Sequence, residues 1–460
     1  MATPAAPQGQ RADDREGPRA EDGRGGLRAA LGGLTTRGRS FLAAGAAAAV
    51  CAYVLGQADL LRVGLLLASL PLICAFVLHR TRYRVATSRR LTPQRVEAGT
   101  EARVQLRMEN VSKLPTGLLM LQDHVPYMLG PRPRFVLDRV EAGGRREVSY
   151  RVRSDLRGRF PLGPLQLRLS DPFGMCELTR SFHAYDTLTV VPRTTPLPAV
   201  PLGGEASGYG EGRQRALALA GDDDIIPRAY RHGDDLRRVH WRSTARYGEL
   251  MVRREEQPQR SHCTVLLDTR RAGYQGSGPD SAFEWAVSGA ASVLTHMLER
   301  GYAVRLLTDT GTAVPGEGSD GGYTHTSAGD SAETAGLLMD TLAIVDHSDG
   351  AGLSRASDVL RAGGDGLLVA FLGDLDEEQA ALAGRMRARA GAAVAFVLDS
   401  GAWLTGGAVT GAVEARIRQL REAGWTVVSV PPGGRTADLW QQAAGALRDT
   451  AAADSHGGWA

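Results

Sequence analysis

Hydrophobic and polar positions change their period three times along the chain. From Phe41 to Leu78 an apolar stretch runs almost unbroken, its only charges, Asp59 and Arg62, falling near the middle. Each half is about 17 residues, the lower limit for crossing a bilayer, so the pattern predicts a two-helix transmembrane hairpin over 40–79. Between 91 and 193 the period is two: Val104, Leu106 and Met108 alternate with polar neighbours, as do Val148, Tyr150 and Val152, and Leu165, Leu167 and Leu169. This is the pattern of half-buried strands. Turn formers at Gly99, Gly130 to Pro133, Gly143–Gly144, Gly158 and Gly163–Pro164 separate the strands at intervals that predict an immunoglobulin-like β-sandwich.

Over 262–452 the apolar runs become continuous and alternate with helical sequence: CTVLLD (263–268), AVRLLTD (303–309), LLVAFLGD (367–374), AVAFVLD (393–399) and WTVVSV (425–430). Strands buried on both faces read this way, which predicts a doubly wound α/β domain with a parallel sheet. The first helix is the clearest, with Ser281 and Glu284 placed for a capping box, Phe283, Val287, Leu294 and Leu298 on one face, and Gly301 as its stop. Further helices are expected near 376–390, 409–423 and 436–450. The glycine-rich stretch 311–331 reads as a low-complexity loop, a tolerated insertion.

Residues 1–39 read as a disordered cytoplasmic tail, 194–221 as a linker and 222–256 as a charged segment of its own. The leader before Phe41, roughly 40 residues, is too long for the n-region of a signal peptide. Arginines set the expected orientation. Arg28, Arg37 and Arg39 precede the first span, Arg80, Arg82, Arg84, Arg89 and Arg90 follow the second, and Arg62 alone lies in the connecting turn, so both ends are expected in the cytoplasm.

A net charge of +3 over 460 residues gives no global attraction to nucleic acid. Lys113, the only lysine, has neither P-loop nor Schiff-base context, which argues against ATP hydrolysis. Cys51, Cys74, Cys176 and Cys263 form no CxxC pair, so neither a disulfide framework nor a zinc site is expected.

Candidate chemistry gathers in two places. Asp268, Asp309, Asp374 and Asp399 each end a predicted strand on the edge where α/β sheets bind ligands, as cation ligands or as caps and turn starters. Residues 222–256 hold eight arginines and eight acids, a balance unlike a nucleic-acid face and suited to mutually paired charges that tie the sandwich to the α/β domain. There, Asp234 or Asp235 can cap a short helix carrying Leu236, Val239 and Ser243 on one side and ending at Gly248, with Trp241 packed on a neighbouring domain. His232 and His240 lack a third ligand and read as structural. A Ser243, His240, Asp235 triad is disfavoured because all three lie on one short helix without a nucleophile elbow.

The pattern Arg228, Tyr230, Gly233, Asp234, Asp235, Arg237, Trp241, Ala245, Arg246 resembles the signature of the bacterial domain of unknown function 58 family, and the resemblance extends over about residues 40 to 310, including RGRFPLGP, DPFG and the strand ending at Asp268. It implies a von Willebrand factor A-like domain after the signature, and partners of the MoxR-type AAA+ ATPase and transglutaminase-like membrane protein classes. The metal site of that domain begins D-x-S-x-S, whereas this chain reads Asp268, Thr269, Arg270, Arg271, Ala272. Both serine ligands are missing, and the guanidinium charges neutralise Asp268 and Asp374, so no metal and no other cofactor is expected. Together these features predict a non-enzymatic, membrane-anchored scaffold or adaptor that binds a protein partner and not nucleic acid. The alternative is a metal-dependent hydrolase or metal-gated binding protein centred on Asp268 and Asp374.

Overall fold

The computed structural model describes residues 32–81, 85–112, 115–116, 118–171, 173–200, 227–229, 241–253, 262–315, 330–362, 366–406 and 410–456. Two compact units emerge, one built from 1–92, 103–151 and 161–186 and the other from 93–102, 152–160 and 187–460.

The first unit opens with helices α1 (Thr36–Leu55) and α2 (Ala58–Thr81), somewhat longer than the stretch 40–79 expected from hydropathy. Thr35 caps α1 by accepting a hydrogen bond from the Gly38 N–H, and Gly56 ends it in the left-handed conformation, with φ +65°. Both helices are long and apolar enough to cross a membrane. Small residues bring their backbones together: a Cβ at Gly45 would lie 2.7 Å from the Ala68 N, and one at Gly64 would lie 2.9 Å from the Ala49 N. Asp59 and Arg62 lie within α2, paired at 2.8 Å, and not in the turn where the hydropathy pattern placed Arg62.

Ten strands follow: β1 (Val85–Thr92), β2 (Arg95–Glu97), β3 (Glu101–Asn110), β4 (Leu119–Asp123), β5 (Arg134–Leu137), β6 (Arg145–Arg153), β7 (Gly158–Leu162), β8 (Leu165–Ser170), β9 (Glu177–Phe182) and β10 (Asp186–Val191). They form sheets of order β1-β3-β6, β5-β4-β8-β9 and β2-β10-β7, so the middle of the chain is β-rich as expected. The period-two positions point inward, for Val104, Met108 and Leu167 are fully buried. A buried polar cluster interrupts the apolar core of the first unit. Arg89 donates to both Asp123 oxygens at 3.1 and 2.5 Å, and the Tyr150 hydroxyl donates to Asp123 at 2.6 Å. Arg89, counted by sequence among the charges that orient a membrane span, has a side chain only 4% exposed. Its charge serves the β core.

The second unit contains β2-β10-β7, a short antiparallel ribbon of β11 (Pro227–Ala229) and β12 (Met251–Arg253) with helix α3 (Trp241–Tyr247) between them in sequence, and a six-stranded sheet. That sheet comprises β13 (His262–Leu267), β14 (Ala303–Thr308), β15 (Ala313–Val314), β16 (Leu367–Leu372), β17 (Ala392–Leu398) and β18 (Thr426–Val430), in the order β15-β14-β13-β16-β17-β18. All five strands read from sequence are present and parallel, and β16 is buried at every position. The sheet is nonetheless mixed, because β15 pairs antiparallel with β14 from inside the stretch read as a loop. Only two of its residues pair, too few for a period to register.

Seven helices of this unit complete the described elements: α4 (Ala282–Glu299), α5 (Asp330–Ile344), α6 (Ser354–Ala362), α7 (Glu377–Arg387), α8 (Ser400–Thr405), α9 (Gly411–Glu422) and α10 (Thr436–His456). The three helices expected after the first are thus present as α7, α9 and α10. Apolar clusters lie on both faces of the sheet, with Phe371, Phe396 and Trp440 on one and Leu368, Leu382 and Trp425 on the other. Ser281 caps α4 as the sequence indicates, accepting from the Glu284 N–H at 3.3 Å.

Candidate functional site

The chain leaves β13 for β14 on one side and later returns to β16 on the other, so the strand order reverses between β13 and β16. Crevices at such reversals are where α/β sheets bind ligands. Here the loops after both strands cross closely. The Asp374 N–H donates to the Gly273 carbonyl at 2.8 Å, and a Cβ at Gly373 would collide with that carbonyl, which favours glycine there.

Asp268 stands at the head of the crevice with no exposed surface. The Arg270 side chain folds back onto it: Nε donates to Oδ1 at 2.9 Å, Nη2 to Oδ2 at 2.7 Å, and the Arg270 backbone N–H to Oδ1 at 3.0 Å. The Gly373 N–H adds a bond to Oδ2 at 3.2 Å, and Arg270 Nη2 reaches the Asp374 carbonyl at 3.2 Å. Burial works against the Arg270 charge, but the Asp268 carboxylate outweighs it and holds the guanidinium pKa above its ordinary value. Arg271, expected to share in this neutralisation, turns outward, 72% exposed, and approaches Asp349 at 3.5 Å.

The remaining strand-end carboxylates are also engaged. Asp309 accepts from the Thr269 N–H at 2.9 Å, from the Thr269 hydroxyl and from the Ser348 hydroxyl at 2.6 Å. Asp374 accepts from the Ser400 N–H at 3.1 Å and from the Ser400 hydroxyl. It does not cap the helix that follows it; Asp376 does, accepting from the Gln379 N–H at 2.7 Å. Asp399 does cap α8, accepting from the Ala402 N–H at 3.0 Å, and it also takes the Thr410 N–H at 2.7 Å. Burial raises its pKa, and these backbone donors overcome that and hold it below the ordinary carboxylate value.

These donors decide whether a divalent cation fits. Both Asp268 oxygens are bonded to Arg270, and the Asp374 carboxylate is committed to Ser400, so the two do not converge as oxygen ligands. Among the described residues no three His, Cys, Asp or Glu side chains group as a metal site. A covalently attached cation takes the position beside Asp268.

Of the signature residues, Arg228 lies on β11, opposite Val252, while Tyr230, Gly233, Asp234, Asp235 and Arg237 lie outside the described residues, as do Leu236, Val239, His232 and His240. Trp241, Ala245 and Arg246 lie on α3, which ends at Gly248 as expected, with φ +75°. Trp241 is 71% exposed, contrary to the packed position read from sequence, and Tyr247 and Leu250 are exposed beside it in sequence. Arg246 is exposed as well.

Within the second unit, arginines that the sequence reading did not single out make the contacts to α5. Arg157, in the RGRF element, donates to the carbonyls of Leu342 at 2.8 Å and Val345 at the end of α5, pairs with Glu284, and lies over the Phe283 ring at 5.2 Å. Arg95 pairs with Asp340 of α5 at 2.5 Å. A stretch dense in Pro, Gly and Arg reads as turns, and nothing in it marks one arginine as buried. Close by, a groove of about 680 Å³ is lined by Trp285, Trp403, Arg193, Arg435, Asp280 and Gly434 among others. Both indoles are fixed by their N–H groups, Trp285 to the Gly434 carbonyl at 2.8 Å and Trp403 to the Val430 carbonyl at 3.3 Å.

No curated protein matches the chain. Similar solved structures include a von Willebrand factor type A protein from Catenulispora acidiphila, 10% identical, covering 41% of this chain and 43% of that one with a TM-score of 0.27. Another is a CARDB domain from Pyrococcus furiosus solved in complex with di-metal ions, 9% identical, covering 24% of this chain and 90% of that one with a TM-score of 0.18. A third is the sporulation control protein Spo0M from Bacillus subtilis, 12% identical, covering 23% and 49% with a TM-score of 0.16. Residues 227–329, from the strand that carries Arg228 onward, match the family model described as Protein of unknown function DUF58, the family that the Arg228–Arg246 pattern resembles.

Proposed function

We propose that this chain is a membrane-anchored scaffold or adaptor without enzymatic activity. In this reading α1 and α2 form a transmembrane hairpin, both chain ends are cytoplasmic, the β-rich middle is an immunoglobulin-like sandwich, and the C-terminal sheet is a von Willebrand factor A-like domain that engages a protein. A MoxR-type AAA+ ATPase is the partner the family resemblance implies, with a transglutaminase-like membrane protein as a second component. The observation that carries the reading is Trp241, exposed on α3 within the family signature with Tyr247 and Leu250 nearby in sequence. Tryptophan and tyrosine concentrate binding energy at protein interfaces, and a large indole left in water is otherwise unfavourable. The engagement of Asp268 by Arg270 argues against the metal-dependent hydrolase.

Affinity capture of the full-length protein from detergent-solubilised membranes tests this proposal. An AAA+ protein recovered with the parent chain and lost with Trp241→Ala supports it. Capture that never recovers an AAA+ protein overturns the assignment of partner, and capture unaffected by Trp241→Ala overturns the assignment of surface.

A further inference from the structure

We propose that Phe173 and Gly174, between β8 and β9, form a membrane-interface element, with Phe173 seated in the headgroup zone of the leaflet that α1 enters. This rests on the reading of α1 and α2 as membrane spans. The turn is bonded to the entry point of α1. The Thr35 N–H donates to the Met175 carbonyl at 2.9 Å, the Thr35 hydroxyl to the Gly174 carbonyl at 2.7 Å, and the Glu177 N–H to the Gly33 carbonyl at 2.7 Å. It is fixed on α2 as well, where the Cys176 thiol donates to the Pro71 carbonyl at 3.7 Å and Leu34, Cys74, Ala75 and Cys176 form one buried cluster.

These contacts set the depth of the turn. The 20 residues of α1 span about 30 Å, the thickness of a hydrocarbon core, so the first residue of α1 falls at its boundary. A turn hydrogen-bonded beside that residue lies in the headgroup zone. Asp171 at its start is 8% exposed, and Met175 and Cys176 just after it are 5% and 1% exposed, while Phe173 is 59% exposed. A phenyl ring is costly in water and is accommodated where the headgroups meet the acyl chains. The exposed Arg37 and Arg39 in the first turn of α1 add cations for lipid phosphates, and a Cβ at Gly174 would lie 3.8 Å from Arg37 Nη1, which places that guanidinium beside the turn. An exposed aromatic side chain on a turn beside Arg37, with Arg39 exposed two positions on, matches the surface of an anionic phospholipid bilayer.

The test uses the full chain in nanodiscs of phosphatidylcholine and phosphatidylglycerol, with Cys51→Ser to remove the exposed native thiol. An environment-sensitive fluorophore is attached at Phe173→Cys or, separately, at Ala48→Cys within α1, and lipids carrying a spin label near the headgroup or deeper in the acyl chain serve as quenchers. The proposal expects blue-shifted emission at 173, with most of it lost to the headgroup-proximal quencher, and quenching at 48 by the deeper one. Quenching at 48 with water-like, unquenched emission at 173 overturns the proposal and leaves the hairpin standing. Loss of quenching at 48 overturns the hairpin itself. Blue-shifted emission at 173 that no lipid quencher reduces points to a protein cover and also overturns the proposal.

Discussion

Arg270 lays its guanidinium along both oxygens of Asp268, a residue two positions earlier, at 2.9 and 2.7 Å. Both side chains are nearly inaccessible, at 4% and 0% exposure. Removing one member of such a pair leaves the other charge buried without compensation, at a cost of about 3–5 kcal/mol. Arg270→Ala is therefore expected to lower the denaturation midpoint strongly. Replacing both residues with apolar ones, Asp268→Leu with Arg270→Met, recovers much of the loss. Chemical denaturation of the three proteins checks the order.

The same pairing makes a prediction about cations. Titrating the parent protein with Mg²⁺ or Mn²⁺ is expected to release no binding heat and to leave the melting temperature unchanged. A saturable shift in melting temperature that disappears in Asp268→Asn would refute it.

Arg157 makes directional bonds to the carbonyls of Leu342 and Val345 besides its pairing with Glu284. Lysine keeps the charge but cannot present a planar fork to two carbonyls, so Arg157→Lys is expected to rescue little of the loss in Arg157→Ala. That loss is about 2–3 kcal/mol, the range for buried hydrogen bonds to a charged group. Hydrogen exchange over 330–345 should quicken in both variants.

Asp399 provides the pH dependence. Its pKa is depressed in the folded state, so its contribution is fully present above the unfolded value, about 4, and is lost as pH falls through the folded value. Asp399→Asn supplies one acceptor where two backbone donors need one each. It is expected to cost about 1–3 kcal/mol at neutral pH and to flatten the decline in stability below about pH 4. Equilibrium unfolding of both proteins across the acid range measures the difference.

Gly45 and Gly64 allow the close approach of α1 and α2. Gly45→Leu is expected to separate the helices and lower thermal stability in detergent. Ala44→Leu, at an exposed position on the same helix, is expected to change it little.

Sequence disclosed most where a periodic pattern matched a regular element. The five parallel strands stood out because each is buried on both faces, as in Leu367–Leu372, and the capping of α4 by Ser281 was legible because a cap is local chemistry. Neutralisation of Asp268 by a neighbouring arginine could be anticipated, but which arginine could not. Arg270 and Arg271 are adjacent and chemically identical, and only the fold turns one inward and the other out. The cluster of Arg89, Asp123 and Tyr150 joins residues dozens of positions apart, so no local pattern encodes it. Arg157 escaped notice for the same reason, its partners lying far along the chain. The exposure of Trp241 reverses the usual inference from residue type, since an indole is more often buried than left in solvent.

Because the positive charge beside Asp268 travels on the polypeptide, its occupancy is set by connectivity and not by supply. A guanidinium carried by the chain is not removed by a chelator. The partner of Asp268 is thus laid down with the backbone of its own loop, two positions along the chain.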